Sequence, residues 1–255
     1  MYIDSHCHIN FPDFSDQLPE VLSLMQQNQV SHALCISVEL EKLSEILALA
    51  EAHPQIYASV GVHPDHEDCT EPSVAQLVQL ARHPKVVAIG ETGLDYYRLT
   101  GDLEWQRERF RTHIRAAREI GKPLVIHTRE AAADTLKLMQ QENAAEIGGV
   151  MHCFTESIDV AQAAMDMNFY ISFSGIVTFK NANSIRDVAT YVPLERMLIE
   201  TDSPYLAPVP YRGKTNQPGY VKHVAEAIAR VKAVSPEEVG EATTRNFFSL
   251  FKDAA

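Results

Sequence analysis

The sequence predicts a single (β/α)8 barrel. Short β-branched runs alternate with amphipathic segments along the whole chain, eight such runs can be marked, and 255 residues matches the roughly 250 this architecture needs. Strand-helix alternation implies a parallel sheet, because parallel neighbours require a long crossover. Successive runs start roughly 20 to 40 residues apart, which suits closure into a barrel. An open doubly wound sheet would be expected to carry a Gly-rich first turn, and no GxGxxG follows the first run.

Taken in order, the predicted strands are 2–8 (YIDSHCH), 33–38 (ALCISV), 56–62 (IYASVGV), 86–91 (VVAIGE), 124–127 (LVIH), 149–153 (GVMHC), 169–173 (FYISF) and 197–202 (MLIETD). Between them, apolar residues recur at helix-like spacing over 16–27, 40–52, 103–120, 131–141 and 158–167. A Pro-rich loop follows at 203–218, and two or three terminal helices are expected over about 220–252. No linker, repeat or second domain is evident, so residues 1–255 are read as one domain.

Hydrophobic residues make up 45% and charged residues 22%, a balance that supports a sizeable core and excludes a disordered or fibrous class. No apolar stretch approaches the roughly 20 residues of a membrane span, and the start MYIDSHCHIN lacks the pattern of a signal peptide. A cytoplasmic protein that does not engage membranes is expected. Cys7, Cys35, Cys69 and Cys153 form no CxxC pair, so reduced thiols are expected rather than a zinc knuckle or disulfide framework. The net charge of −12 opposes general affinity for nucleic acid. A phosphodiester substrate would have to be attracted by metals and a local basic patch.

The strongest chemical signal is Asp4-Ser5-His6-Cys7-His8, where the two-residue strand period sends His6 and His8 to the same side. Two imidazoles on one face can chelate a cation, although an isolated HxH can equally be two unrelated histidines. Placement decides between them. Glu91 ends the fourth run, His127 the fifth, Asp202 the eighth, and His152 nearly ends the sixth. In a barrel these C-terminal strand ends converge on the mouth where active sites lie. Ending buried strands in such groups carries a desolvation cost unless they are paired or bind metal. Four histidines and two carboxylates exceed one tetrahedral site and suit two ions sharing a carboxylate. The expected arrangement is His6, His8 and Asp202 on one ion, His127 and His152 on the other, and Glu91 bridging.

In this order, DSHCHI, GETGLDYY, VIHTRE, MHCF and IETDSPYLAP resemble the TatD-type metal-dependent deoxyribonucleases of the amidohydrolase superfamily. The resemblance runs from residue 2 to about residue 250. It implies a TIM barrel, divalent metals at His6, His8, Glu91, His127, His152 and Asp202, and hydrolysis of DNA phosphodiesters, often as a 3′→5′ exonuclease. Many wider relatives bridge their metals with a carboxylated lysine. Here Glu91 and His127 occupy those strand ends, which disfavours a lysine-bridged site.

The chemistry expected is attack by a metal-bridged hydroxide, with Asp202 taking the water's proton and both Asp202 and Glu91 catalytic. Zinc is the ion expected on purification, and magnesium or manganese could support activity. His63, in Gly-Val-His-Pro, points to the same mouth and is assigned to substrate phosphate or to a supporting role behind the metals, with a packed loop histidine as the alternative. Glu200 could orient a ligand imidazole or form a core salt bridge. Cys7 and Cys153 are expected to face the helices.

Arg129 and the Arg212-Gly-Lys214-Thr-Asn216 turn would supply positive charge for DNA, with Tyr96, Tyr97, Phe154, Tyr205 and Tyr211 available to stack on unpaired bases. The expected partner is single-stranded DNA or a DNA end, and the expected state a monomer. A C–N or ester hydrolase acting on a cyclic amide, lactone or aminoacyl ester is the alternative, since the same nucleophile attacks carbonyls. A binding protein with a vestigial site fits poorly with retention of all six ligand types.

Overall fold

All eight β-branched runs form strands, because such residues pack well on a pleated surface that is buried on both faces. In the computed structural model, which describes residues 1–67, 69–97 and 99–254, they are β1 (Tyr2–Cys7), β2 (Val30–Cys35), β3 (Ile56–Val60), β4 (Val86–Asp95), β5 (Leu124–Arg129), β6 (Gly149–Met151), β7 (Phe169–Phe173) and β8 (Met197–Ile199). They pair in parallel in sequential order. Closure is made at the mouth: Cys7 bridges Ser203, His6 O accepts from Asp202 N–H at 2.9 Å, and Ser203 O accepts from His8 N–H at 2.8 Å. Among the described residues no helix is long and apolar enough to cross a membrane.

The helices are α1 (Leu18–Gln27), α2 (Leu43–Ala52), α3 (Val74–Ala81), α4 (Glu104–Ile120), α5 (Ala132–Gln141), α6 (Ile158–Asp166), α7 (Asn183–Tyr191), α8 (Val221–Lys232) and α9 (Pro236–Leu250). Sequence periodicity did not single out α3 and α7, which are only 8 and 9 residues long. α3 is nonetheless signalled by Ser73, whose side chain accepts from Gln76 N–H as an N-cap. The segment predicted as 40–52 begins with a 3-10 turn, so its α-helix starts at Leu43.

Several strand ends differ from expectation. β2 begins three residues earlier, at Val30, and β4 runs on to Asp95. β6 and β8 stop at Met151 and Ile199, so His152 and Asp202 lie beyond regular strand. Alternation therefore cannot dictate where those two side chains point.

Two cores stabilise the barrel. One lies between the strands and the helical ring, and the other fills the barrel's lower interior with Ile3, Leu34, Val87, Val125, Val150 and Leu198. Phe247 and Phe251 join that inner layer and, packed at 4.8 Å with Tyr57 and Phe248 alongside, plug the N-terminal opening. The C-terminal helix thus serves the barrel interior, and only the opposite mouth stays accessible. A cavity of about 750 Å3 near Met1, Leu22, Gln26 and Gln55 lies at the plugged end and carries no acidic, basic or imidazole side chain.

Phe247→Ala should lower unfolding free energy by about 3 to 5 kcal/mol in urea titrations. A loss below 1 kcal/mol would contradict its role as plug. A pH effect follows from His113 on α4. Its Nε2 accepts from Val62 N–H at 3.0 Å and its Nδ1–H donates to Arg109 O at 2.8 Å, and burial pushes its pKa down from 6.5 to about 4. The unfolded imidazole binds a proton where the folded one stays neutral, so stability is full above pH 6.5 and falls as pH drops from there towards 4. Between pH 7.5 and 5 the native protein should lose about 2 kcal/mol more than His113→Gln in urea titrations. Equal losses would contradict the assignment.

Candidate metal centre

Three local irregularities aim the chemical groups at the mouth. Strict alternation from Ile3, which faces the lower core, would turn His6 and His8 outward. The β1–β2 pairing shifts register between Asp4 and Cys7, which reverses the phase so that both imidazoles enter the mouth and Cys7 packs outward. In β4, Gly90 (φ 145°) and Gly93 (φ 136°) flank Glu91. A Cβ on Gly90 would lie 2.5 Å from Val125 O, and one on Gly93 1.9 Å from His127 O, so only glycine lets β4 press against β5 here. The β4–β5 register shifts within this stretch, and Glu91 projects into the mouth. Asp202 occupies the left-handed region (φ 57°), and the residue before it is held by the adjoining strand β1: Asp4, fully buried, accepts from Thr201 N–H at 2.8 Å and Thr201 Oγ1–H at 2.5 Å.

Glu91 is the hub of the resulting cluster. Its Oε2 lies 3.3 Å from His6 Nε2 and 3.9 Å from His8 Nε2, while its Oε1 lies 2.8 Å from His152 Nε2, 3.3 Å from His127 Nδ1 and 3.4 Å from His63 Nε2. Asp202 Oδ1 stands on the first side, 3.7 Å from His6 Nε2 and 3.5 Å from His8 Nε2. All six residues named from the sequence come together. His63 joins them as a third imidazole against Oε1, closer to the centre than the supporting role expected of it.

The outer atoms of these rings fix what the inner atoms offer. His127 Nε2–H donates to Asp95 Oδ2 at 3.0 Å, His152 Nδ1–H to Glu200 Oε1 at 3.2 Å, and His8 Nδ1–H to Ile36 O at 3.2 Å. Each inner nitrogen then presents a lone pair. Yet His8 Nε2 faces His6 Nε2 at 3.3 Å, His127 Nδ1 faces His152 Nε2 at 3.4 Å, and both latter rings face the Glu91 carboxylate. Lone pairs converging this closely require protons or cations between them. The donor set meets that need: ligand atoms of His6-His8-Glu91, His6-His152-Asp202 and His63-Glu91-His127 each lie within 4.8 Å of one another. Mixed imidazole and carboxylate donors suit divalent metals. His6 Nδ1 has no partner among the described residues.

Electrostatics point the same way. Burial alone would raise the Glu91 carboxyl, but His152, His63, His6 and His127 outweigh it and hold it well below the usual range. At Asp202 burial is likewise outweighed by His8, His6 and His152, so this carboxyl is lowered. Burial opposes charge on His152, yet Glu91 and Glu200 raise its pKa well above the ordinary value. The cluster binds positive charge.

Around it lies a cleft of about 730 Å3. Arg129 lines it and stacks over the Tyr97 ring at 3.8 Å. Tyr205 and Phe11 form part of the opposite wall, Phe11 stacked on His8 at 4.7 Å. Other expected contacts sit elsewhere. Tyr96 is packed against the core, its hydroxyl donating to Asp134 at 2.8 Å and accepting from Arg107, so it does not line the cleft. Arg212 lies over Phe179 at 3.6 Å, Lys214 stands 5.9 Å from the Tyr211 ring, and Tyr211 stacks on Tyr220 at 4.0 Å, all outside the cleft wall. Phe154 is buried in the core. Cys153 departs from expectation: two residues past the end of β6 and at φ 43°, it lines the cleft, 3.2 Å from Ser174 Oγ, instead of facing a helix. At the rim, Glu39, Glu41 and His66 also converge, with Lys42 paired to Glu39 at 2.6 Å.

Asp95 and Phe11 are site residues that sequence reasoning missed, and Asp95 bears directly on the metal centre. It was legible in principle as the acid four residues after Glu91, but its position depends on β4 continuing past the expected end. Asp95→Asn should weaken divalent-metal binding about 10- to 100-fold while leaving circular dichroism unchanged. Unaltered affinity in calorimetric titration would remove it from the orienting role.

Comparison with known proteins places the chain in a family. The chain is 46% identical over 253 residues to the uncharacterized metal-dependent hydrolase YcfH of Escherichia coli, covering 98% of this chain and 95% of that protein. It is 32% identical over 257 residues to the 3′-5′ ssDNA/RNA exonuclease TatD of Edwardsiella piscicida, covering 98% and 99%. The crystal structure of YjjV, a TatD homologue from Escherichia coli, superposes with a TM-score of 0.91 at 30% identity over 98% of both chains. The sequence profile of the TatD related DNase family matches residues 3–252. A barrel that gathers imidazoles and carboxylates at one mouth and matches that profile almost end to end belongs to the TatD-related DNase family and is a metal-dependent hydrolase.

Proposed function

We propose that the protein is a two-metal deoxyribonuclease that removes nucleotides from the 3′ end of single-stranded DNA. The observation that carries this reading is the division of Glu91: one oxygen faces His6 and His8, the other faces His63, His127 and His152. A carboxylate so divided suits two ions, held by His6, His8 and Asp202 on one side and His127 and His152 on the other. Bound there, divalent ions of the zinc, manganese or magnesium type would acidify water and stabilise charge on a phosphate.

The chain's own residues supply the remaining functions. Asp202, kept ionised by its histidine neighbours, accepts the proton of the attacking water. The Arg129 guanidinium lines the cleft and holds the phosphate oxygens, while His63 Nε2 stands against Glu91 Oε1 beside His127. Phe11 and Tyr205 offer aromatic surface to the terminal base. Support for DNA as substrate comes from the family's name, from the named exonuclease relative, and from Arg129 facing Phe11 and Tyr205 at the cleft.

Timed digestion of end-labelled single-stranded DNA should show stepwise shortening from the 3′ end, abolished by a chelator and restored by added metal. Turnover of p-nitrophenyl esters or a cyclic amide exceeding DNA cleavage by orders of magnitude would replace this function with acyl hydrolysis. In the same assay Asp202→Asn should lower kcat about 100- to 10,000-fold with little change in KM. An Asp202→Asn protein with full turnover would exclude it as proton acceptor.

A further inference from the structure

We infer that one polar face of α4 is a clamp that sets the position of His63 relative to His127, and so controls metal affinity on the His63–Glu91–His127 side of the centre. Gln106, Arg109 and His113 recur at spacings of three and four, which stacks them on one helix face. An amphipathic helix would normally bury apolar groups there, and polar groups cost about 1 to 3 kcal/mol each if left unpaired. All three are buried, and all three are fully used.

Their partners are backbone groups of the segments that carry the site. His113 Nε2 accepts from Val62 N–H at 3.0 Å, Arg109 Nη1–H donates to His63 O at 2.8 Å, and Gln106 Nε2–H donates to Pro64 O at 3.0 Å. Three helix positions therefore hold three successive residues. The chain here has left β3, so no sheet ladder fixes these groups. Gln106 also ties down the other side: its Oε1 accepts from Asp95 N–H at 2.9 Å, and its Nε2–H donates to Asp95 O at 3.2 Å. Asp95 in turn orients His127. A single fully buried amide thus joins the neighbour of one imidazole to the orienter of another. The remaining side of the centre is held differently, through Asp4 and Thr201.

The inference rests on the two-metal reading above. Gln106 touches no substrate and acts as a positioning residue. Two variants test it in the full-length, metal-stripped protein titrated calorimetrically with Mn2+: Gln106→Leu removes all three hydrogen bonds, and Gln106→Glu keeps the acceptor but loses the donations. Asn246→Leu is the control, because Asn246 is a buried amide that donates to Leu194 O at 2.7 Å and Met197 O at 2.8 Å beside the start of β8, away from the mouth.

Native protein should bind two ions. Gln106→Leu should weaken one event at least 10-fold and leave the other within twofold, Gln106→Glu should do the same to a smaller extent, and Asn246→Leu should lower Tm without altering either event. Two wild-type affinities in both Gln106 variants, or equal weakening of both events, would overturn the clamp while leaving the two-metal reading intact. Fewer than two events in the native protein would overturn that reading and the clamp with it.

Discussion

A buried carboxylate facing five imidazoles governs the mouth of this barrel. Glu91 is 3% exposed, and an ion so placed is tolerated only where surrounding groups return what water would have supplied. Each neighbouring ring answers that demand in a defined way. Its outer nitrogen is engaged by Asp95, Glu200, Asp65 or a backbone carbonyl, which directs the inner nitrogen towards Glu91. His6 is the exception, because its Nδ1 has no partner among the described residues and its ring is instead held by stacking on His152 at 3.9 Å. The backbone accommodations follow from the same demand: glycines either side of Glu91, a register shift in β1, and a left-handed Asp202.

Much of this was legible in the sequence because it depends on residue type and strand order. The barrel and the mutual proximity of His6, His8, Glu91, His127, His152 and Asp202 follow from alternation and from where polar residues fall. What was not legible depends on backbone departures from regularity. Simple alternation placed His6 and His8 on one face correctly, but that face points inward only because β1 slips register after Asp4. Asp95 was missed because β4 persists beyond Glu91, and Cys153 was misplaced because β6 ends at Met151. Tyr96 was misread as a cleft residue because nothing local reveals that Asp134 and Arg107 claim its hydroxyl.

Charge distribution frames substrate access. A chain of net charge −12 repels polyanions at long range, so any nucleic acid must be captured locally. The cleft wall offers Arg129 on Tyr97 at one side and Phe11 with Tyr205 at the other, whereas Glu39 and Asp65 add negative charge between them. The Arg212–Phe179 pair, though outside the cleft, lies on loops contiguous with its wall at Ile176 and Leu206, next to Tyr205.

We propose that Glu91 joins two metal sites. A crystal structure of the manganese-loaded protein, with anomalous scattering recorded above and below the manganese edge, tests it most directly. Two anomalous peaks are expected, one beside each oxygen of Glu91, with His6, His8 and Asp202 near the first and His127 and His152 near the second. A single peak, or two peaks with Glu91 bonded to neither, would contradict it.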